Sequence, residues 1–308
     1  MDNFEDSNRP TEATAAAVVE RISPRGKLRS IEPLPGSYSN YTHLVSAALP
    51  DGTTGRYVIR RYKVFGDYDR GEKAVREFRT LEHMSNSGIP VPRPLLLDPS
   101  GDLLGTPGIV TAFVRGRQVD QPDDPEPWAR RLGEVLARIH TVRVDDTTRR
   151  ILLDANAEVT WFIRGETVPG FMSAHPEGPR VWELVKKWYE RRNPVPAGLV
   201  HVDVWSGNIL WDEGRISAVV DWEEAAWGEP EIDLAYLRMD LVLSGMGAAW
   251  ETVRGAYERT LGRPAENLGL WELVSAARPM FSPDDWISDS PAVERFRRFI
   301  DEAEARLA

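Results

Sequence analysis

The chain has 308 residues, 42% of them hydrophobic and 28% charged, the balance of a globular protein large enough to build two lobes. It contains no cysteine, which excludes disulfides, thiolate nucleophiles and Cys-ligated metal centres. The net charge of −10 argues against a nucleic-acid partner, because phosphate neutralisation needs a basic footprint, and it suits a cationic substrate.

The opening residues, MDNFEDSNRP, are acidic and polar, unlike a secretory signal. No apolar run approaches a membrane span, so the expectation is a cytoplasmic protein with no membrane partner. Residues 11–22 (TEATAAAVVERI) predict a short leading helix within a segment 1–25. Strands follow at 27–34 and 41–49, separated by the Gly/Ser/Asn turn PGSYSN (35–40). PDGTTG (50–55) predicts a hairpin turn into a third strand at 56–64. Ala74, Val75, Phe78 and Leu81 recur at helical spacing, which predicts an amphipathic helix over 71–85. GIPVPRP (88–94) ends it, since proline cannot continue a helix. Two more strands are expected at 95–98 and 108–114, closed by RGR (115–117).

Beyond residue 116 the chain turns helix-rich, with helices expected near 126–142, 178–192, 231–244, 247–261 and 291–307. One compact β-type region, 199–222, lies among them. An antiparallel sheet with one helix (26–115), then a larger helical part (116–308), makes an α+β protein with two unequal lobes. Nothing reads as a coiled coil, and the oligomeric state is not legible.

The chemistry concentrates in HVDVWSGNIL (201–210), where His201, Asp203 and Asn208 interrupt hydrophobic sequence. In NILWDEGRISAVVDW (208–222) two β-type runs flank DEG (212–214), and a three-residue hairpin loop there lays Asp221 beside the loop holding Asp203 and Asn208. Carboxylates brought together in this way call for a cation or a proton relay. Asn208 and Asp221 are oxygen ligands of the kind Mg²⁺ takes.

The spacing H-x-D-x-x-x-x-N, followed by a hydrophobic strand ending in Asp221, resembles the catalytic and metal-binding loops of protein-kinase-like enzymes. With VVDWEEAAWGEPEIDLAYL (219–237), and Gly228, Pro230, Asp233, Leu234 and Ala235 in place, the chain is similar to the aminoglycoside phosphotransferase and choline kinase family. That resemblance runs over about residues 28–240 and is most specific over 199–237. It departs from the family at Val202, where glycine is common. The resemblance implies a bilobal protein-kinase-like fold whose 26–115 lobe binds nucleotide and whose 116–308 lobe binds the acceptor. It implies that Asp203 orients and deprotonates a substrate hydroxyl, with His201 supporting the loop, and that Asn208 and Asp221 hold Mg²⁺ on the phosphates of ATP or GTP. Asp233 is expected as a helix N-cap bracing the loop.

On the nucleotide side, Gly36, Ser37, Ser39 and Asn40 of LPGSYSNYTH would face phosphate oxygens. Arg60 takes the place of the usual strand lysine, and Glu77 matches the helix glutamate that pairs with it. Main-chain groups near Ala112 and Val114 in VTAFVRG would bind the purine. The activity this implies is phosphorylation of a small-molecule hydroxyl, foremost in an aminoglycoside-like or other antibiotic. Choline, ethanolamine or another metabolite is the alternative acceptor, and a non-catalytic nucleotide-binding protein is the alternative of another class. The absence of Ala-Pro-Glu and Asp-Phe-Gly argues against a protein kinase. Glu223, Glu224, Asp284 and Asp285 are candidate acids for a cationic acceptor, and Trp205 has no assigned role.

Overall fold

The computed structural model describes residues 9–34, 40–64 and 69–307, and Gly36, Ser37 and Ser39 lie outside the described residues. The chain resolves into two compact units. The first holds the residues up to Arg115 together with Ala218–Glu223, and the second holds Gly116–Ser217 and the rest from Glu224.

The first unit opens with α1 (Glu12–Ile22), capped by Thr11, whose side chain accepts from the Thr14 amide. Five strands follow: β1 (Lys27–Pro33), β2 (Asn40–Ala48), β3 (Thr54–Tyr62), β4 (Pro94–Asp98) and β5 (Gly108–Ala112). They form an antiparallel sheet of order β1-β2-β3-β5-β4, in which Asn40 pairs with Tyr62 and Ala48 with Thr54. Side chains alternate across a strand. Val45, Ala47, Tyr57 and Ile59 therefore join Val18 and Val19 of α1 in one buried cluster, and Arg60 projects from the other face of β3. Helix α2 (Arg70–Asn86), capped by Asp69, contributes Glu77 to that side. Residues 218–223 belong here because the Val219 amide donates to the Pro90 carbonyl at 2.7 Å.

The second unit carries two small sheets. One has β6 (Arg117–Gln118), β9 (Ile209–Asp212) and β10 (Arg215–Val219), in the order β10-β9-β6, with the last two residues of β10 counted in the first unit. The other has β7 (Leu153–Asp154), β8 (Gly198–Val200) and β11 (Ala226–Gly228), in the order β7-β11-β8. The β9–β10 turn is shorter than expected. Only Glu213 and Gly214 lie between the strands, with φ of 47° and 71°, the signature of a two-residue type I′ turn.

Around these sheets pack α3 (Pro125–His140), α4 (Gly178–Tyr189), α5 (Glu231–Leu243), α6 (Trp250–Leu261), α7 (Leu268–Ser275), α8 (Ala277–Phe281) and α9 (Ser290–Ala305). Gly133 lets α3 and α6 touch, since a Cβ there would lie 2.2 Å from the Val253 carbonyl oxygen. All thirteen residues of α5 are buried, so the helix lies at the centre of this core. The amphipathic pattern does not mark α7, because each of its residues is buried and no polar stripe exists to set a period. Among the described residues no helix is long and apolar enough to cross a membrane. The mixed α+β architecture is the expected one.

Candidate active site

In the second unit β8 delivers the chain into residues 201–208. Val202 has φ of 74°, a left-handed conformation that is unusual for a β-branched residue and costs about 1–3 kcal/mol. The buried Asp233 carboxylate holds it there. Its Oδ2 accepts from the His201 amide and its Oδ1 from the Val202 amide, both at 2.7 Å. Asp233 is thus not an N-cap: Pro230 takes that position and Asp233 is the third residue of α5, where its side chain reaches the preceding loop. His140 Nε2 also lies 3.1 Å from Asp233 Oδ2, with Nδ1 2.8 Å from the Tyr257 hydroxyl. When Nε2 carries the proton, it donates to the carboxylate and Nδ1 accepts from Tyr257. Three donors therefore converge on one buried carboxylate.

Two further contacts set the loop. The Ser206 amide donates to Asp240 at 2.9 Å, and the Gln118 side-chain amide donates to the Gly207 carbonyl at 2.7 Å. Trp205 folds back on the chain, so that a Cβ added to Gly207 would lie 2.3 Å from its ring. This gives Trp205 a packing role. His201 is fully buried, consistent with supporting the loop.

The two carboxylate oxygens of Asp203 have different partners. Asn208 donates its amide nitrogen to Oδ2 at 3.1 Å and to the Asp203 carbonyl at 2.8 Å. Arg278 donates Nη1 to Oδ1 at 2.8 Å and Nη2 to the Val202 carbonyl at 2.8 Å. The Arg278 guanidinium lies 4.3 Å from the centre of the Tyr236 ring. Burial and the nearby Asp203 carboxylate, to which its hydroxyl bonds, push the Tyr236 phenol well above its usual range. Arg278 went unrecognised in the sequence: it lies 75 residues downstream of Asp203, in ARPMF, which carries no motif.

The amide nitrogen of Asn208 is turned to Asp203, so its carboxamide oxygen points away from that carboxylate and is the atom a cation would take. An amide oxygen is a hard donor of the kind Mg²⁺ takes. Among the described residues no group of three or more His, Cys, Asp or Glu forms a metal cluster, so an ion here would draw other ligands from nucleotide phosphates or water.

In the first unit Arg60 gathers three carboxylates. Its Nε lies 3.2 Å from Glu77, its Nη2 lies 3.0 Å from Glu223, and it also pairs with Asp221. Tyr62 donates its hydroxyl to Glu77. Burial raises the Glu77 carboxyl against the opposing pull of Arg60. Asp221 has φ of 71°, a turn conformation that Asp tolerates better than most residues.

Glu223 is not a substrate-facing acid, contrary to expectation. It is buried, accepts from Asn40 at 2.6 Å, and pairs with Arg60 and, at 3.4 Å, with Lys73. The Arg76 Nε donates to its carbonyl at 2.7 Å. Asn40 therefore directs its side-chain amide to Glu223. Ala112 ends β5 with its amide donating to Arg93, so that amide is engaged within the sheet, and Val114 follows outside the strand. In the second unit Glu224 lies 3.8 Å from Arg278, while Asp284 and Asp285 are exposed on the short helix Pro283–Trp286.

Residues 30–272 match the profile of the family described as the phosphotransferase enzyme family, APH. The chain is 27% identical to a homoserine kinase of Polaromonas naphthalenivorans, an alignment covering 80% of each protein. It is also 27% identical, over 59% of its length, to acyl-CoA dehydrogenase family member 10 of Mus musculus, and spans only 18% of that longer protein. A spectinomycin phosphotransferase solved with ADP and spectinomycin shares the fold, with a TM-score of 0.57 at 15% identity over 93% of this chain and 92% of that one.

Proposed function

The chain belongs to the phosphotransferase enzyme family, and from that premise we propose that it transfers the γ-phosphoryl group of a nucleoside triphosphate to a hydroxyl of a small molecule, with Asp203 as the base. The observation that carries this reading is the state of Asp203. Arg278 and Asn208 hold one carboxylate oxygen each, yet the side chain remains 30% exposed. A carboxylate fixed in direction but open to a ligand is what a proton acceptor requires.

In the proposed step the acceptor oxygen forms a bond to the γ-phosphorus and its proton passes to Asp203. The bond from phosphorus to the β,γ-bridging oxygen breaks, and the nucleoside diphosphate leaves with that electron pair. Asn208 and Asp221 would hold Mg²⁺, which when bound neutralises developing charge on the phosphates. Arg60, oriented by Glu77, supplies a fixed cation on the nucleotide side, and Val114 offers main-chain groups to the base. ATP and GTP serve equally in this scheme. The nucleotide requirement suits a cytoplasmic setting.

The acceptor is of antibiotic type, the class named for the spectinomycin-bound neighbour. A homoserine-like amino alcohol is the second reading, favoured by the homoserine kinase that aligns over 80% of both chains. Nucleoside diphosphate release measured over a panel of hydroxyl acceptors tests the proposal: one class should stimulate turnover well above the unstimulated rate. Replacing Asp221 with Ala should abolish Mg²⁺-dependent nucleotide binding, and unchanged binding would remove it as a ligand.

A further inference from the structure

Arg60 is held by more than the helix glutamate that matches it in sequence. Its Nε lies 3.2 Å from Glu77, while its Nη2 lies 3.0 Å from Glu223 and also meets Asp221. Nη1, by contrast, has neither a hydrogen bond nor an ion pair among the described residues, and it is not buried. A planar guanidinium anchored at two of its nitrogens has one orientation, so the direction of the third is set.

Glu223 is itself fixed from several directions. Its Oε2 accepts from Asn40 at 2.6 Å and from Arg60, and its Oε1 faces Lys73 Nζ at 3.4 Å. Its main-chain carbonyl accepts from Arg76 Nε at 2.7 Å. Lys73, Arg76 and Glu77 stand three and four residues apart on α2, which places them on one face of that helix. Helix α2 therefore holds Arg60 twice, directly through Glu77 and by way of Lys73, Arg76 and Glu223. Asn40 opens β2 and pairs with Tyr62 of β3, so the same carboxylate also reaches both strands at that end. All of these residues belong to the first unit.

The second carboxylate matters because residue 60 is an arginine. An ammonium is a point charge, with no plane to set and no third nitrogen in a fixed direction. A guanidinium held at Nε alone could still swing its far end about that contact. Glu223 removes this freedom, and its own two oxygens are committed to Asn40, Arg60 and Lys73.

Building on the phosphotransferase reading, we infer that Glu223 is a positioning residue for the nucleotide: with Glu77 it fixes the plane of the Arg60 guanidinium, so that Nη1 stands open to a phosphate oxygen. Glu223 touches no substrate in this role and acts through Arg60 alone. Its contribution therefore concerns the phosphates and not the nucleoside, and it does not require a metal ion.

The test measures binding of ADP and GDP to the full chain in EDTA, with adenosine and guanosine as phosphate-free controls, and repeats the series with Mg²⁺. Glu223→Gln should weaken diphosphate binding about ten-fold in EDTA and leave nucleoside binding at the parent value. In an Arg60→Met background the same substitution should have no further effect, because the two residues act as one unit. Arg60→Lys keeps a cation at the site, so it tests the fork even where Glu223→Gln folds poorly. It should lose diphosphate affinity to a similar extent. Parent-like or tighter diphosphate binding by Glu223→Gln, or parent-like binding by Arg60→Lys, overturns the inference. Equal losses for nucleoside and diphosphate also overturn it, by showing a general structural tie. So does a change seen only with Mg²⁺, which would make Glu223 a metal ligand. In each of these cases the phosphotransferase reading stands. Absence of nucleotide binding by the parent chain overturns that reading itself.

Discussion

Arg278 donates one guanidinium nitrogen to Asp203 Oδ1 and the other to the Val202 carbonyl, each at 2.8 Å, and so locks a side chain and the backbone behind it with a single group. The planar fork makes this possible; an ammonium could satisfy only one of the two acceptors in that geometry. Arg278 is a positioning residue for the carboxylate. Arg278→Met is expected to lower kcat about 10- to 100-fold while leaving nucleotide KM near the parent value, because misdirecting the base affects the transition state more than binding. Arg278→Lys should recover only part of the loss. Steady-state kinetics on both variants, with a thermal melt to confirm folding, check this.

Val202 makes a prediction of sign. At most buried positions Ala retains more stability than Gly, but the left-handed backbone at φ of 74° reverses the preference. Both substitutions remove the same buried packing. Val202→Gly should therefore be more stable than Val202→Ala by about 1 kcal/mol. Urea midpoints of the two variants give the order directly.

The loop depends equally on Asp233, whose carboxylate accepts from two amides and lies against His140. An Asn side chain has one acceptor oxygen and must turn its NH₂ towards at least one of these donors. Asp233→Asn should cost about 3 kcal/mol of stability. It should also lower kcat, since His201 and Val202 lose their anchor. Chemical denaturation and turnover, measured on the same preparation, test the coupling.

Stability should also depend on pH through Glu272. Burial raises this carboxyl from its ordinary value of 4.5 to about 7, against the pull of Arg238 and Arg306 at 2.9 Å and 3.0 Å. The folded protein therefore binds the proton more tightly than the unfolded chain. Between pH 4.5 and about 7 the folded state holds more protons, so this group makes stability fall as pH rises through that window. Glu272→Gln removes the titrating group, and its stability should change less between pH 5 and 7 than that of the parent. A slope at least as steep in the variant would assign the pH dependence elsewhere.

Much of this arrangement is legible in the residues, and its limits have physical causes. Strand ends follow turn chemistry, so PDGTTG and GIPVPRP mark the first unit well. The strict spacing of His201, Asp203 and Asn208 points to one loop because a short polar segment has few ways to present three side chains. Arg278 is invisible by the same logic. It sits beside α7, a buried helix with no polar stripe, and α8 contains Pro279, so neither periodicity nor a motif singles it out. Glu223 invites a surface role because its neighbours WEEAA are acidic, whereas its burial depends on Asn40, Arg60 and Lys73, which are distant in sequence. The Glu213–Gly214 turn is shorter than expected because Glu213 adopts a positive φ that its residue type does not advertise.

The central claim is that Asp203 accepts the proton of the attacking hydroxyl. Asn is nearly isosteric and retains an oxygen for Arg278, but it cannot take up that proton. Single-turnover phosphotransfer by Asp203→Asn, measured with the best acceptor at saturating Mg²⁺ and nucleotide, is predicted to fall about a hundred- to ten-thousandfold with nucleotide affinity unchanged. Phosphotransfer at the parent rate would contradict the account.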